Sequence, residues 1–204
     1  MIVKVCGMTR PEDVEFCDGL GIDLLGFIFH APSPRNVEPG WVATQKPRRS
    51  LKTGVFVRQG VDEIGNIARE AGLDLLQLHG GHTPEQCRTL GPERVIKVLW
   101  PKRYATTELL LADMELFAPV CRAILLDSGT SGGGHGTSLD PADLRRLNCL
   151  HPWYLAGGLG PHNLETMKTT GAAGFDLNSG VESAPGIKDH EKISRSVNIL
   201  RGKP

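Results

Sequence analysis

Eight short apolar runs recur along this 204-residue chain, and their even spacing constrains its fold more than any other feature. They are Ile2–Cys6, Asp23–Phe29, Thr53–Val57, Leu73–His79, Arg94–Trp100, Arg122–Asp127, Trp153–Ala156 and Ala173–Leu177. Most are near-continuous in apolar side chains, the pattern of parallel strands buried on both faces. Helix signals fall between them. Thr9-Arg-Pro-Glu12 and Thr83-Pro-Glu-Gln86 have the spacing of capping boxes. Asp140-Pro-Ala-Asp143 supplies an N-cap, a proline at the first helical position and an acidic first turn. Val61, Ile64, Ile67, Ala68 and Ala71 make one apolar helical face, whereas the second connection, Pro39 to Arg49, has the weakest helical pattern. Strand–helix alternation of this kind means an α/β protein. Eight units of about 25 residues fit a compact, single-domain (βα)8 TIM barrel over 1–204, near the lower size limit of roughly 200 residues. A doubly wound open sheet is the alternative, and it ordinarily has fewer strands.

Composition narrows the partners. Lys+Arg and Asp+Glu both number 23, so the formal charge is zero and lacks the basic excess of a nucleic-acid protein. The densest basic run, Lys46 to Lys52, is short and reads as a solvated loop. No apolar run approaches the ~18 residues of a membrane span, and the opening MIVKVCG runs into a strand pattern with no signal-peptide architecture. Neither a nucleic acid nor a membrane is expected as a partner. Five cysteines, at 6, 17, 87, 121 and 149, form neither a disulfide framework nor a zinc cage by spacing, so a reducing cytoplasm is expected.

If the chain closes into a barrel, its chemistry belongs at the C-terminal ends of the strands. Cys6, His79, Asp127 and Asp176 stand there, with Arg35 in the loop after the second strand. Residues two apart on a strand share a face, so Ala123, Leu125 and Asp127 point one way together, as do Leu75, Gln77 and His79. Each has a plainer reading beside the catalytic one. Cys6 is also a small core residue. Asp127, ending the run AILL, needs a partner or a function because burying it unpaired is expensive; a cap on the next loop would serve. His79 also reads as a structural histidine, and Asp176 as the organiser of the turn Asn178–Gly180.

Two glycine-containing loops suggest an anion site. Ala156-Gly-Gly-Leu159 follows the seventh strand and Asn178-Ser-Gly180 the eighth. Ser179 and Glu182 have capping-box spacing, which predicts a short helix whose free N–H groups suit a phosphate; two tight glycine turns are the plainer reading. The sixth loop, Ser128 to Gly136, is neither a Walker loop nor a dinucleotide fingerprint, and reads equally as a site cover or a surface loop. His190-Glu191 does not begin H-E-x-x-H, and no G-x-S-x-G elbow occurs, so neither a metal nor a serine hydrolase is expected.

Taken in order, these segments resemble the phosphoribosylanthranilate isomerases of tryptophan biosynthesis nearly end to end. The resemblance rests on Lys4-Val-Cys-Gly-Met-Thr-Arg-Pro-Glu-Asp13, Gly26-Phe-Ile-Phe29 with Ser33-Pro-Arg35, and Gly54-Val-Phe-Val57. It continues through Leu76-Gln-Leu-His-Gly80, Leu125-Leu-Asp127, Ala156-Gly-Gly-Leu159, Asp176-Leu-Asn-Ser-Gly-Val-Glu182 and Pro185-Gly-Ile-Lys-Asp189. It implies a cofactor-free Amadori rearrangement of a small phosphorylated substrate. N-(5-phosphoribosyl)anthranilate becomes 1-(2-carboxyphenylamino)-1-deoxyribulose 5-phosphate, with the enzyme a monomer or homodimer. Cys6 is then the general base, Asp127 the general acid, and Arg35 the holder of the anthranilate carboxylate. Gly157, Gly158, Asn178, Ser179 and Gly180 hold the phosphate, and His79 and Asp176 line the site. The chemistry requires a protonated Asp127 and a Cys6 that ionises more readily than a free thiol.

Departures from the family pattern are local. Gly133-Gly-His-Gly136 and Leu139-Asp-Pro141 replace a usual G-G-T-G and F-D-W, and Arg58-Gln-Gly60 lacks a usual asparagine. A related histidine-pathway isomerase is the runner-up, counted against by Cys6, where that family resembles an aspartate user. A phosphate-ligand barrel without catalysis is the non-enzymatic alternative, counted against by the retention of Cys6 and Asp127.

Overall fold

A computed structural model describes residues 1–128, 140–147 and 149–202. Eight parallel strands close into a barrel in strict chain order: β1 (Ile2–Cys6), β2 (Leu24–Phe29), β3 (Leu51–Phe56), β4 (Leu75–Leu78), β5 (Val95–Leu99), β6 (Ala123–Asp127), β7 (Trp153–Ala156) and β8 (Gly174–Leu177). The last strand pairs with the first, Lys4 opposite Asp176 and Val5 opposite Leu177. An open sheet is thereby excluded, and all eight predicted runs lie on strands of the barrel. Alternate residues face inward and outward. Leu24, Leu75, Ile96, Val98, Ala123, Leu125 and Tyr154 form the inner cluster. Phe27, Phe56, Leu76, Ile124 and Phe175 face the helices in a larger outer one. Each such fully buried side chain contributes roughly 1.5–3 kcal/mol.

The helices among the described residues are α1 (Pro11–Gly19), α2 (Pro39–Thr44), α3 (Val61–Ala71), α4 (Pro84–Leu90), α5 (Thr107–Phe117), α6 (Pro141–Arg145), α7 (Leu164–Met167) and α8 (His190–Arg201). The expected face of α3 is turned inward, with Ile64, Ala68 and Ala71 buried. The second connection, weakest in pattern, yields only the six residues of α2. The Thr83–Gln86 capping box forms, with the Gln86 N–H donating to Thr83 Oγ1 at 3.3 Å and the Thr83 N–H to Gln86 Oε1 at 2.9 Å. Asp140 caps α6 by accepting from the Ala142 N–H at 2.7 Å. The box expected at Thr9–Glu12 does not form. Arg10 is the N-cap residue, and Thr9 Oγ1 donates to the Gly186 carbonyl at 2.5 Å, a long-range partner that wins over the local one.

That partner belongs to an element absent from the sequence reading. After β8 comes a short antiparallel hairpin, β9 (Glu182–Ala184) and β10 (Ile187–Lys188), laid beside the barrel mouth before α8 begins. No helix among the described residues is long and apolar enough to cross a membrane.

Candidate active site

A cavity of about 600 Å³ opens at the C-terminal ends of the strands. Cys6, Arg35, His79, Asp127, Gly157, Gly158, Asp176, Asn178 and Ser179 all line it. Nine of the ten residues singled out from sequence therefore converge on one space. Gly180 stays behind it, its backbone pressed so closely on the Leu159 carbonyl that an added Cβ would lie 2.2 Å from that oxygen. A more open groove of about 820 Å³ lies between α3 and α4, on the outer helical layer and away from these residues.

Strand parity delivers Cys6 and Lys4 to the same inner face. Lys4, quoted in the sequence motif but given no role there, is 1% exposed. Its ammonium donates to both carboxylate oxygens of Asp176, at 3.0 and 2.9 Å. Burial opposes the Lys4 charge, but Asp176 and Cys6 beside it hold the ammonium above its ordinary pKa. Gly26 makes room for this convergence: an added Cβ there would lie 2.6 Å from Cys6 Sγ and 3.0 Å from Lys4 Nζ. The thiol does not ionise more readily than a free one in this geometry. Burial pushes Cys6 up, Lys4 pulls it down without prevailing, and Asp176 adds to the rise. A lysine inside an apolar strand, two residues before the cysteine, was the sequence signal for this pair.

Asp127 ends β6 and is buried. Its Oδ2 lies 3.5 Å from Nε2 of His79. Burial drives the His79 pKa down to about 4, and Lys4, Lys97 and Arg103 reinforce burial against the opposing Asp176. His79 is therefore neutral near pH 7, and the contact is not an ion pair. Gln77 Nε2 faces the other ring nitrogen, Nδ1, at 3.5 Å. That arrangement suits the tautomer with its proton on Nε2, turned toward Asp127. Trp100 meets the imidazole edge to face at 5.2 Å, and the Arg103 guanidinium stacks 4.0 Å over the indole. Trp100 and Arg103 complete this wall, and nothing in their local sequence pattern marked them.

The loops after β7 and β8 form the opposite wall. Gly157 and Gly158 have φ of 109° and 63°, in the left-handed region that favours glycine. At Gly157 a Cβ would also lie 1.7 Å from Ser128 Oγ. Ser179–Val181 makes a single 3₁₀ turn rather than the expected capped helix, and Asn178 gives it no side-chain cap. Glu182 is not the partner of Ser179 because two cations outcompete a backbone N–H for its carboxylate. Arg35 Nη2 lies 2.6 Å from one oxygen and Lys188 Nζ 2.7 Å from the other. Burial would raise the Glu182 carboxyl, yet Arg35 and Lys188 hold it below the usual carboxylate range. Glu182 in turn raises the Arg35 pKa.

The missing asparagine at Arg58-Gln-Gly60 is compensated by Gln59. Its Oε1 accepts from the Val57 and Arg58 N–H groups, both at 3.1 Å, and its Nε2 donates to the Phe29 carbonyl. The other departures, at Gly133–Gly136 and Leu139, and with them His135 and most of the sixth loop, lie outside the described residues.

A closed (βα)8 barrel with a thiol, carboxylates and cations gathered at the C-terminal rim defines the class, an enzyme built on the barrel. Comparison with known proteins narrows it. The sequence model of the N-(5'phosphoribosyl)anthranilate (PRA) isomerase family matches residues 3–199. The N-(5'-phosphoribosyl)anthranilate isomerase of Maridesulfovibrio salexigens is 46% identical over 195 residues, 95% of each chain. Among solved structures, the phosphoribosyl anthranilate isomerase of Thermus thermophilus superposes with a TM-score of 0.86 at 31% identity, covering 100% of both chains. Another isomerase of this name, solved with reduced 1-(o-carboxyphenylamino)-1-deoxyribulose 5-phosphate, gives 0.80 at 30% identity, over 99% of this chain and 100% of that one. The chain belongs to the N-(5'-phosphoribosyl)anthranilate isomerase family.

Proposed function

We propose that this enzyme converts N-(5-phosphoribosyl)anthranilate into 1-(2-carboxyphenylamino)-1-deoxyribulose 5-phosphate, in tryptophan biosynthesis, with Cys6 as general base and Asp127 as general acid. One observation carries the reading: Cys6 and Asp127 line the same cavity from β1 and β6, between a cationic Arg35 side and a glycine-lined side. Asp127 gives its proton to the ribose ring oxygen, the C1′–O bond breaks, and an open-chain iminium forms. Cys6, as the thiolate, takes the C2′ proton and becomes the thiol, leaving an enolamine. Protonation of C1′ by the Cys6 thiol and loss of the O2′ proton to the Asp127 carboxylate complete the ketone and restore both groups. Atoms and charge balance without a cofactor.

The surroundings support these roles. Lys4 opposes the burial that keeps Cys6 protonated, and so favours the thiolate that must be in place before the C2′ proton is taken. Neutral His79 faces Asp127 Oδ2 without bringing a competing positive charge. Arg35 takes the anthranilate carboxylate, a task suited to a guanidinium fork. Backbone N–H groups of Gly157 and Gly158, with Asn178 and Ser179, receive the phosphate, and Gly180 behind them allows the close approach of the two loops. Asp176 acts through Lys4. Five free cysteines agree with a cytoplasmic enzyme.

The test is turnover of N-(5-phosphoribosyl)anthranilate, followed by the loss of anthranilate-type fluorescence, for the wild type, Cys6→Ser and Asp127→Asn. The wild type turns over, and each variant loses about 10²–10⁴-fold in kcat, the usual worth of one proton-transfer group. A folded wild type without turnover overturns the reaction, and variants with full activity overturn the acid–base pair.

A further inference from the structure

Glu182 stands outside the barrel, on the hairpin that follows β8, yet four donors converge on its carboxylate. Arg35 Nε lies 2.9 Å from Oε1 and 3.2 Å from Oε2, and Arg35 Nη2 lies 2.6 Å from Oε2. Lys188 Nζ donates to Oε1 at 2.7 Å, and the Gly186 N–H to the same oxygen at 3.1 Å. Lys188 also reaches Asn178 Oδ1 at 3.0 Å, so the carboxylate is braced against the β8 loop. The Lys188 side chain is 0% exposed and that of Glu182 is 4% exposed, which makes this a built network rather than a surface pair.

The manner of the grip matters. A guanidinium has five N–H donors in a planar fork. Glu182 takes Arg35 from the side, through Nε and Nη2, and leaves the end-on pair, Nη1 with the second N–H of Nη2, for another carboxylate. Two cations share one carboxylate in this cluster, so it retains an excess positive charge at the cavity wall. A free arginine loses rotamer entropy when it captures an anion; an arginine already clamped side-on has lost it beforehand.

We propose that Glu182 is a positioning residue of this enzyme: it clamps Arg35 side-on so that the end of its fork receives the anthranilate carboxylate. This rests on the reading of Arg35 as the residue that holds that group. Glu182 itself touches no reacting atom. A residue that shaped only the hairpin would have a different signature, because its loss would weaken every ligand of the cavity alike.

A double-mutant cycle separates the two. Glu182→Gln and Arg35→Ala are made singly and together, and kcat and KM are measured beside calorimetric Kd values for anthranilate and inorganic phosphate. In the Arg35 background, Glu182→Gln raises KM and the anthranilate Kd about tenfold, and kcat and the phosphate Kd stay within about twofold. In the Arg35→Ala background the same change moves the anthranilate Kd by less than about twofold. An equal loss in both backgrounds, or parallel loss of anthranilate and phosphate binding, overturns the proposal. If Glu182→Gln leaves Lys188 too poorly compensated to fold, Glu182→Asp keeps the charge, shortens the arm by one methylene and enters the same cycle. Absence of wild-type turnover counts against the proposed reaction, while the two Kd values still decide the role of Glu182.

Discussion

The Lys4 ammonium sits inside the barrel with its nitrogen 3.0 and 2.9 Å from the two carboxylate oxygens of Asp176, directly across the β1–β8 seam that closes the sheet. The seam thus joins the first and last strands by backbone pairing and by a buried charge pair beside the Cys6 thiol. Removing one member of such a pair leaves the other charge buried and unpaired, which costs about 3–5 kcal/mol. Lys4→Met is expected to destabilise the fold by that order in chemical denaturation. It also removes the cation that pulls the Cys6 thiol down. Inactivation by iodoacetamide, followed as loss of turnover, then needs a higher pH in the variant than in the wild type. Coincident inactivation profiles would show that Lys4 does not act on the thiol.

His79 gives the protein a stability that depends on pH in a definite direction. Its folded pKa, driven by burial to about 4, lies below the ordinary 6.5. Between these values the unfolded chain binds the proton and the folded one does not, so stability rises with pH. The contribution is fully present above about pH 6.5, falls as the pH drops through that window, and amounts to roughly 3 kcal/mol in all. Urea midpoints taken between pH 7 and pH 4.5 check this. The decline should be shallower in His79→Asn, whose side chain does not titrate. Parallel declines in the two proteins would assign the acid sensitivity to the carboxylates instead.

The barrel was legible because its signals are local and repeated. An apolar run such as Ala123–Asp127 carries its own period, and Asp140-Pro marks its own helix start. Convergence of Cys6, Asp127, His79 and Asp176 followed from strand parity once closure was assumed. Local spacing misleads where a distant partner displaces a nearby one. Thr9 bonds to Gly186 instead of closing a box with Glu12, and Glu182 leaves Ser179 for Arg35 and Lys188. Spacing along the chain cannot register contacts made across 147 or 177 residues. The acidity of Cys6 went the same way, because it depends on how far burial outweighs Lys4, which is a property of the packed barrel.

Glycine substitutions at two positions should have opposite effects. At Gly26, a Cβ would lie 2.6 Å from Cys6 Sγ, 2.9 Å from Cys6 Cα and 3.0 Å from Lys4 Nζ. Gly26→Ala must push the thiol and the ammonium away from their places. Forced overpacking of this kind costs about 1–3 kcal/mol. The loss of rate should be larger in proportion, since misplacing a reacting group by about 1 Å costs on the order of 10²-fold. Gly65 lies in α3, where an added Cβ meets nothing within 4 Å. Gly65→Ala should therefore raise stability by about 0.5–1 kcal/mol through helix propensity and leave kcat unchanged. Thermal unfolding and kcat, measured on both variants, give the comparison. If Gly26→Ala keeps wild-type turnover, close approach of Cys6 and Lys4 over the bare Gly26 backbone is not required for proton removal, and the part played by Lys4 in that step would have to be given up.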